Sequence, residues 1–126
     1  MTPSKRSKLA IAGVVLVSAA ALIGVKHNRC ELRNAMFGRQ VQALKRDAYD
    51  QLRIGTKHAE VVRFFAEHHI AVTFAYSLAS GTIQTTGCSP FGCGADSATI
   101  GVSVEVDQQG TVIGKPLVSG IYNDCL

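Results

Sequence analysis

Thr99 to Asp107 reads TIGVSVEVD. Ile100, Val102, Val104 and Val106 alternate with Thr99, Gly101, Ser103, Glu105 and Asp107. A period of two with β-branched residues on one side predicts a strand with one buried face. Asp107 to Gly110 supplies the turn that follows. Thr111 to Ile121 is expected to return antiparallel, with Pro116 confining it to an edge or breaking it.

Working back from this hairpin, Val72, Phe74, Tyr76 and Leu78 alternate with Ala71, Thr73, Ala75 and Ser77, which predicts a second half-buried strand. Ser80-Gly81 is expected to turn the chain into a weaker strand around Ile83 to Thr86. Gly87 to Ala95, GCSPFGCGA, reads as a loop rich in Gly and Pro.

Further upstream the period lengthens. Phe37, Val41, Leu44, Ala48 and Leu52 lie on one face of a helix predicted within Glu31 to Arg53. Gly55 stops it, and Thr56 is expected to cap a second helix, Lys57 to His69, with Val61, Val62, Phe65 and Ala66 as its buried stripe. Two amphipathic helices followed by three to four antiparallel strands predict an α+β domain, the helices packed on one side of the sheet. The core is expected to rest on Phe65, Phe74, Val102 and Val104.

At the N-terminal side lies an uncharged run of 17 residues, Leu9 to Val25, LAIAGVVLVSAAALIGV. As a helix it would extend about 26 Å, near the lower limit for crossing a bilayer's hydrocarbon core. Lys5, Arg6 and Lys8 precede it; Lys26, His27 and Arg29 follow. The expected organisation is a signal-anchor or transmembrane segment over residues 1–29 and a small extracytoplasmic domain over residues 30–126. No proline separates the run from the first amphipathic helix, so the two can continue as one.

Two signals disagree on topology. Lys26, Arg29, Arg33, Arg39 and Lys45 outnumber the three basic residues before the run, which favours a cytoplasmic C-terminal domain. The export-like layout and the even set of four cysteines favour an oxidising compartment, and an extracytoplasmic, single-pass arrangement is the expectation taken. Ala19-Ala20-Ala21 and Ser18-Ala19-Ala20 fit the small-x-small cleavage rule. Leu22, Ile23 and Val25 prolong the run beyond both, which favours an uncleaved anchor.

Charge excludes one class of partner. The chain carries +4, but Lys5, Arg6, Lys8, Lys26 and Arg29 contribute five positive charges, leaving the remainder at −1. Without a net basic domain, a basic patch interleaved with aromatics, or any Trp, nucleic acid is not an expected partner. The expected partners are the membrane and another envelope protein.

The cysteines are the sharpest candidates for chemistry. Cys88 and Cys93 close a short loop, with a spacing longer than the two-residue spacing of redox pairs, so a structural disulfide is expected. Cys30 and Cys125 would then join the ends of the domain. Four cysteines allow three connectivities, and an intermolecular bond through Cys30 stays open.

No catalytic, cofactor or metal set is expected. His68 and His69 project about 100° apart on a helix, poor geometry for shared ligation, and His58 has no partner at metal spacing. Glu105, Asp96 and Asp107 read as turn and solvent-face residues. Gly92 and Gly94 precede no helix and so make no phosphate loop, and no nucleophile elbow is present.

Two stretches resemble the small two-helix, three-strand modules of the bacterial cell envelope, the outer-membrane assembly lipoprotein BamE (small protein A) and the β-lactamase-inhibitory proteins. Gly55-Thr56-Lys57-His58-Ala59-Glu60-Val61 resembles their Gly followed by a buried Val in the second helix. Val104 to Val112 resembles their strand, Asp-x-x-Gly turn and return strand. The chain departs from them in having His27-Asn28-Arg29 before Cys30 instead of a lipid-attachment signal, Ala66 to His69 where they carry Gly-x-Pro, and no strand tryptophan. The resemblance implies a non-catalytic, protein-binding α+β module. Two alternatives from other classes are a thiol-disulfide active protein using Cys88 and Cys93, and a pilin-like structural subunit.

Overall fold

The repeat Phe37, Leu44, Ala48, Leu52 is buried along one face of a helix, with Val41 partly buried among them. Such a stripe gains stability only when a sheet or helix covers it. In the computed structural model, which describes residues 5–88 and 97–123, with side chains from residue 11 onward except 23 and 25–29, that helix is α1, Lys5–Gln51. The order continues as α2 (His58–Glu67), β1 (Thr73–Ala75), β2 (Leu78–Thr86), β3 (Ser97–Glu105) and β4 (Leu117–Tyr122). The chain falls into two compact units, Met1–Leu32 and Arg33–Leu126.

The second unit is an α+β fold with a four-stranded antiparallel sheet in the order β1-β2-β3-β4. The alternation in TIGVSVEVD holds. Ala98, Ile100, Val102 and Val104 are buried against Leu44, Ala48, Leu52, Phe64 and Phe65. Cross-strand pairs on this face, Ala79 with Val104, Gly81 with Val102 and Ile83 with Ile100, extend the core across β2. Val118 opposite Val102 extends it into β4. The Asp107–Gly110 turn forms as predicted: Gly110 N donates to Asp107 O at 3.0 Å, and Gly110 has φ +78. The return is broken. Val112 makes an isolated bridge with Val106, and β4 begins after Pro116 as an edge strand.

Several expectations need correcting. The first strand is not continuous from Ala71 to Leu78. It folds back at Tyr76-Ser77, so that Ala75 pairs with Leu78, and Ser80-Gly81 lies inside β2 instead of turning the chain. Phe74, expected in the core, is 38 % exposed. In α2 the buried residues are Val61, Phe64 and Phe65, while Val62 and Ala66 face outward. Val61 and Phe65 are buried as expected, and Phe64 takes the place of Val62 and Ala66 in the stripe. A short helix at a sheet margin buries only the narrow arc that meets the sheet. Thr56 does not cap α2. Its hydroxyl donates to Gln51 O at 3.2 Å, and extended Lys57 holds the N-cap position, its N–H reaching Glu60 Oε2 at 3.4 Å. Gly55 does mark the end of α1, with φ +95 and its N–H bonded to Val112 O at 2.8 Å.

Gly81 is required by packing. A Cβ there would stand 2.5 Å from both Ala71 O and Ile70 Cγ2, and the oxygen belongs to backbone that cannot swing aside. Gly81→Ala is therefore expected to cost about 1–3 kcal/mol through overpacking. At Gly101 a Cβ would meet only Ser119 Oγ, at an ordinary 3.6 Å. Gly101→Ala should be neutral or stabilising by up to about 1 kcal/mol. Urea midpoints of the two variants, compared with the parent, check the contrast.

Among the described residues no helix is long and apolar enough to cross a membrane. Leu9, Ala10, Ile23 and Val25 of the apolar run lie outside those whose side chains are described.

Candidate binding surface

The turn between β1 and β2 is the unusual element. Tyr76 and Ser77 have φ +52 and +61, the pattern of a type I′ hairpin turn. Such turns favour Asn-Gly, because the left-handed region costs an L-residue about 1–2 kcal/mol. A bulky tyrosine in this position is strained, and 99 % exposure leaves it no burial to offset the strain. The turn is fixed from below: Val106 N donates to Ser77 O at 2.9 Å, tying the tip to the chain just after β3.

Beside the tip lies the Asp107–Gly110 turn. Asp107 Oδ1 accepts from the backbone N–H groups of Gln109 and Thr111, both at 2.9 Å, which makes it rigid. His58, the first residue of α2, bridges the two turns. Its ring packs against Phe74 in a tilted arrangement with centroids 4.6 Å apart, and the side chain lies so close to Gly110 that a Cβ there would collide with the imidazole. An open groove of about 440 Å³ runs between the turns, lined by His58, Phe74, Tyr76, Leu78, Val106 and Gln109 among others. Phe74 and Leu78 are each 38 % exposed and flank the protruding Tyr76. The site therefore presents aromatic and aliphatic surface on two braced turns.

A second groove, about 350 Å³, opens between α1 and the sheet. Leu44, Ile70 and Ile100 form its floor, with Asp47, His68 and Thr85 at the rim. His68 Nε2 lies 3.8 Å from Asp47 Oδ2, an ion-pair distance beyond hydrogen-bond range. The Thr85 hydroxyl donates to Gln40 Oε1 at 2.8 Å and so is engaged away from the imidazole. This arrangement does not assemble a nucleophile and base.

Of the cysteines, Cys30 and Cys88 are each held in a disulfide. Cys88 is 3 % exposed and its N–H donates to Asn34 Oδ1 at 2.9 Å. Cys93 and Cys125, with most of the Gly87–Ala95 loop, lie outside the described residues. His58 serves in aromatic packing, and His68 packs against Phe64 in a tilted arrangement with centroids 4.5 Å apart. Among the described residues no three His, Cys, Asp or Glu side chains converge as metal ligands.

The alternation places Tyr76 within a strand, whereas it stands at the tip of the β1–β2 turn. The missing signal is the absent Asn or Gly: nothing local in Ala75-Tyr76-Ser77-Leu78 announces a turn. Comparison with protein-family models, curated proteins and solved structures finds no match for this chain.

Proposed function

We propose that this protein is a membrane-tethered cell-envelope protein whose α+β unit binds another protein through the β1–β2 tip. The observation that carries the binding reading is Tyr76: a strained, fully exposed aromatic on a braced turn, beside half-exposed Phe74 and Leu78. The hairpin requires this backbone but gains nothing from a bulky tyrosine in it, so the choice of residue points to a functional demand at the tip. Tyrosine is also enriched among the residues that dominate binding energy at interfaces, because it offers large, stiff contact area with a polar end. The non-catalytic class implied by the envelope-module resemblance agrees with this reading.

Tethering is supported by the apolar run. Ile11, Val14, Val15, Leu16, Val17 and Leu22 are each 62–72 % exposed, and their positions encircle the helix instead of forming one stripe. A helix apolar on every side needs an apolar environment on every side. Extracytoplasmic placement of the second unit accords with disulfides at Cys30 and Cys88. Against the thiol-active alternative, a cysteine buried to the extent of Cys88, 3 % exposed as a residue, is poorly placed for thiolate attack.

The test is at Tyr76. A photo-crosslinking phenylalanine analogue at this position, in native membranes, should yield one discrete adduct that mass spectrometry identifies. The same probe at Thr82, on the sheet's outer face, should not. With the partner in hand, Tyr76→Asn should weaken binding at least about 30-fold, the loss of a central aromatic anchor. The same substitution should raise stability by about 0.5–1 kcal/mol, because Asn tolerates the left-handed region. Identical adducts from both positions, or unchanged affinity of the variant, would remove Tyr76 as the anchor.

A further inference from the structure

The two edges of the sheet are guarded differently. β1 is three residues long and ends in a sharp turn, and short edge strands resist addition of another chain. β4 has six residues, Leu117–Tyr122, and among the described residues no strand pairs with its other side. From Pro116 to Asn123 the sequence PLVSGIYN carries no charge, and within β4 there is no proline or bulge to repel a neighbour. Edges lacking charge and proline are templates for strand pairing.

Its two faces are also distinct. Val118, Gly120 and Tyr122 face the helix side: Val118 is buried, Phe37 and Val41 close over Gly120, and Tyr122 lies 5.1 Å from Phe37 between ring centroids. Leu117, Ser119 and Ile121 point to the outer face, where Leu117 and Ile121 are 66 % and 62 % exposed. Directly opposed residues in an antiparallel pair share a face, so a two-fold axis must pass through a residue of β4. An axis through Ser119 sets Leu117 of each copy against Ile121 of the other and Val118 against Gly120. An axis at Val118 would set Ile121 against Lys115, and one at Gly120 would set Leu117 against Asn123. Only the Ser119 register joins the exposed aliphatic residues in two symmetric pairs, with a small residue at the axis.

We propose that two copies of this chain associate by antiparallel pairing of β4 with β4 about Ser119, joining the two sheets into one of eight strands. Main-chain hydrogen bonds supply the attraction, and the reciprocal Leu117–Ile121 pairs set the register. A six-residue seam is smaller than the roughly 800 Å² per partner of a standard stable complex, so a dimer in the micromolar class is expected.

Sedimentation equilibrium of the full chain in density-matched detergent micelles tests this. The parent should be in monomer–dimer equilibrium. Ser119→Lys places two ammonium groups face to face on the axis and should weaken the dimer about tenfold or more, as should Ser119→Glu. An equimolar mixture of the two variants should recover a heterodimer, because only a residue that opposes its own copy behaves in this way. Leu117→Lys combined with Ile121→Glu provides a second complementary set: each alone should weaken the dimer and the double variant restore it. Thr82→Lys, on β2 of the same face, should leave the dimer intact. Circular dichroism melts establish that each variant is folded. A parent chain that stays monomeric, a dimer that survives every single β4 substitution, or folded variants that neither complementary set restores would overturn the proposal.

Discussion

Replacing Phe65 by alanine is expected to lower the unfolding free energy by about 3–5 kcal/mol. The side chain is fully buried, and its ring meets Phe64 edge-on at a centroid separation of 5.5 Å. Its removal loses the transfer free energy of the ring and leaves a void between α2 and the sheet. Neighbours that could collapse into that void, such as Val102 and Val104, are fixed by the strand ladder. Domains of this size have only about 5–15 kcal/mol in total, so the variant should lose between about a fifth and all of its stability. A two-state fit to urea unfolding followed by circular dichroism measures the loss. Val62→Ala, one helix turn away on the exposed side, should change the midpoint little. A Phe65→Ala loss below about 1 kcal/mol would mean that α2 contributes little to the core.

On the tethering proposed above, replacing Val17 by arginine is expected to abolish stable membrane association. Val17 stands at the middle of the Leu9–Val25 run and is 71 % exposed on the helix surface. A central arginine costs about 2.5–3.5 kcal/mol on the insertion scale, whereas valine is mildly favourable. The combined change is on the order of a hundredfold in the membrane-to-water partition, and a run this short has no surplus to absorb it. Carbonate extraction of native membranes separates the outcomes. The parent protein should stay in the pellet and Val17→Arg should move to the supernatant. Retention of the variant, or release of the parent, would refute the tether while leaving the Tyr76 reading untouched.

The elements that the sequence revealed are those whose signal repeats over several turns or several residue pairs. Phe37, Leu44, Ala48 and Leu52 recur at helical spacing, and Ile100, Val102 and Val104 recur at strand spacing. Each residue's neighbour along the period repeats the message, so packing has one face to bury and buries it. The Asp107–Gly110 turn was legible for a different reason: Asp accepts the local backbone N–H groups and Gly supplies positive φ within a few residues. Thr56 shows the limit of such rules. A capping residue was present, but the end of α1 claimed its hydroxyl and α2 began one residue later.

What the chain determined by itself is therefore an α+β unit with a buried face on each long element, a turn after β3, and an apolar segment within α1. Tertiary structure alone decided where the β1–β2 hairpin reverses. Tyr76 and Ser77 adopt left-handed backbone because Thr73, Phe74 and Ala75 pair with Ser80, Ala79 and Leu78, and because Val106 holds the tip through Ser77 O. Gly81, which reads locally as a turn residue, is kept in β2 by its ladder pairing with Val102, and Ala71 O leaves no room for a Cβ there. Local preferences of a fraction of a kcal/mol to about 2 kcal/mol yield when several ladder hydrogen bonds and a shared core favour the same alternative. The candidate binding tip is where that override is largest, and so it is the part of the molecule that sequence periodicity describes least well.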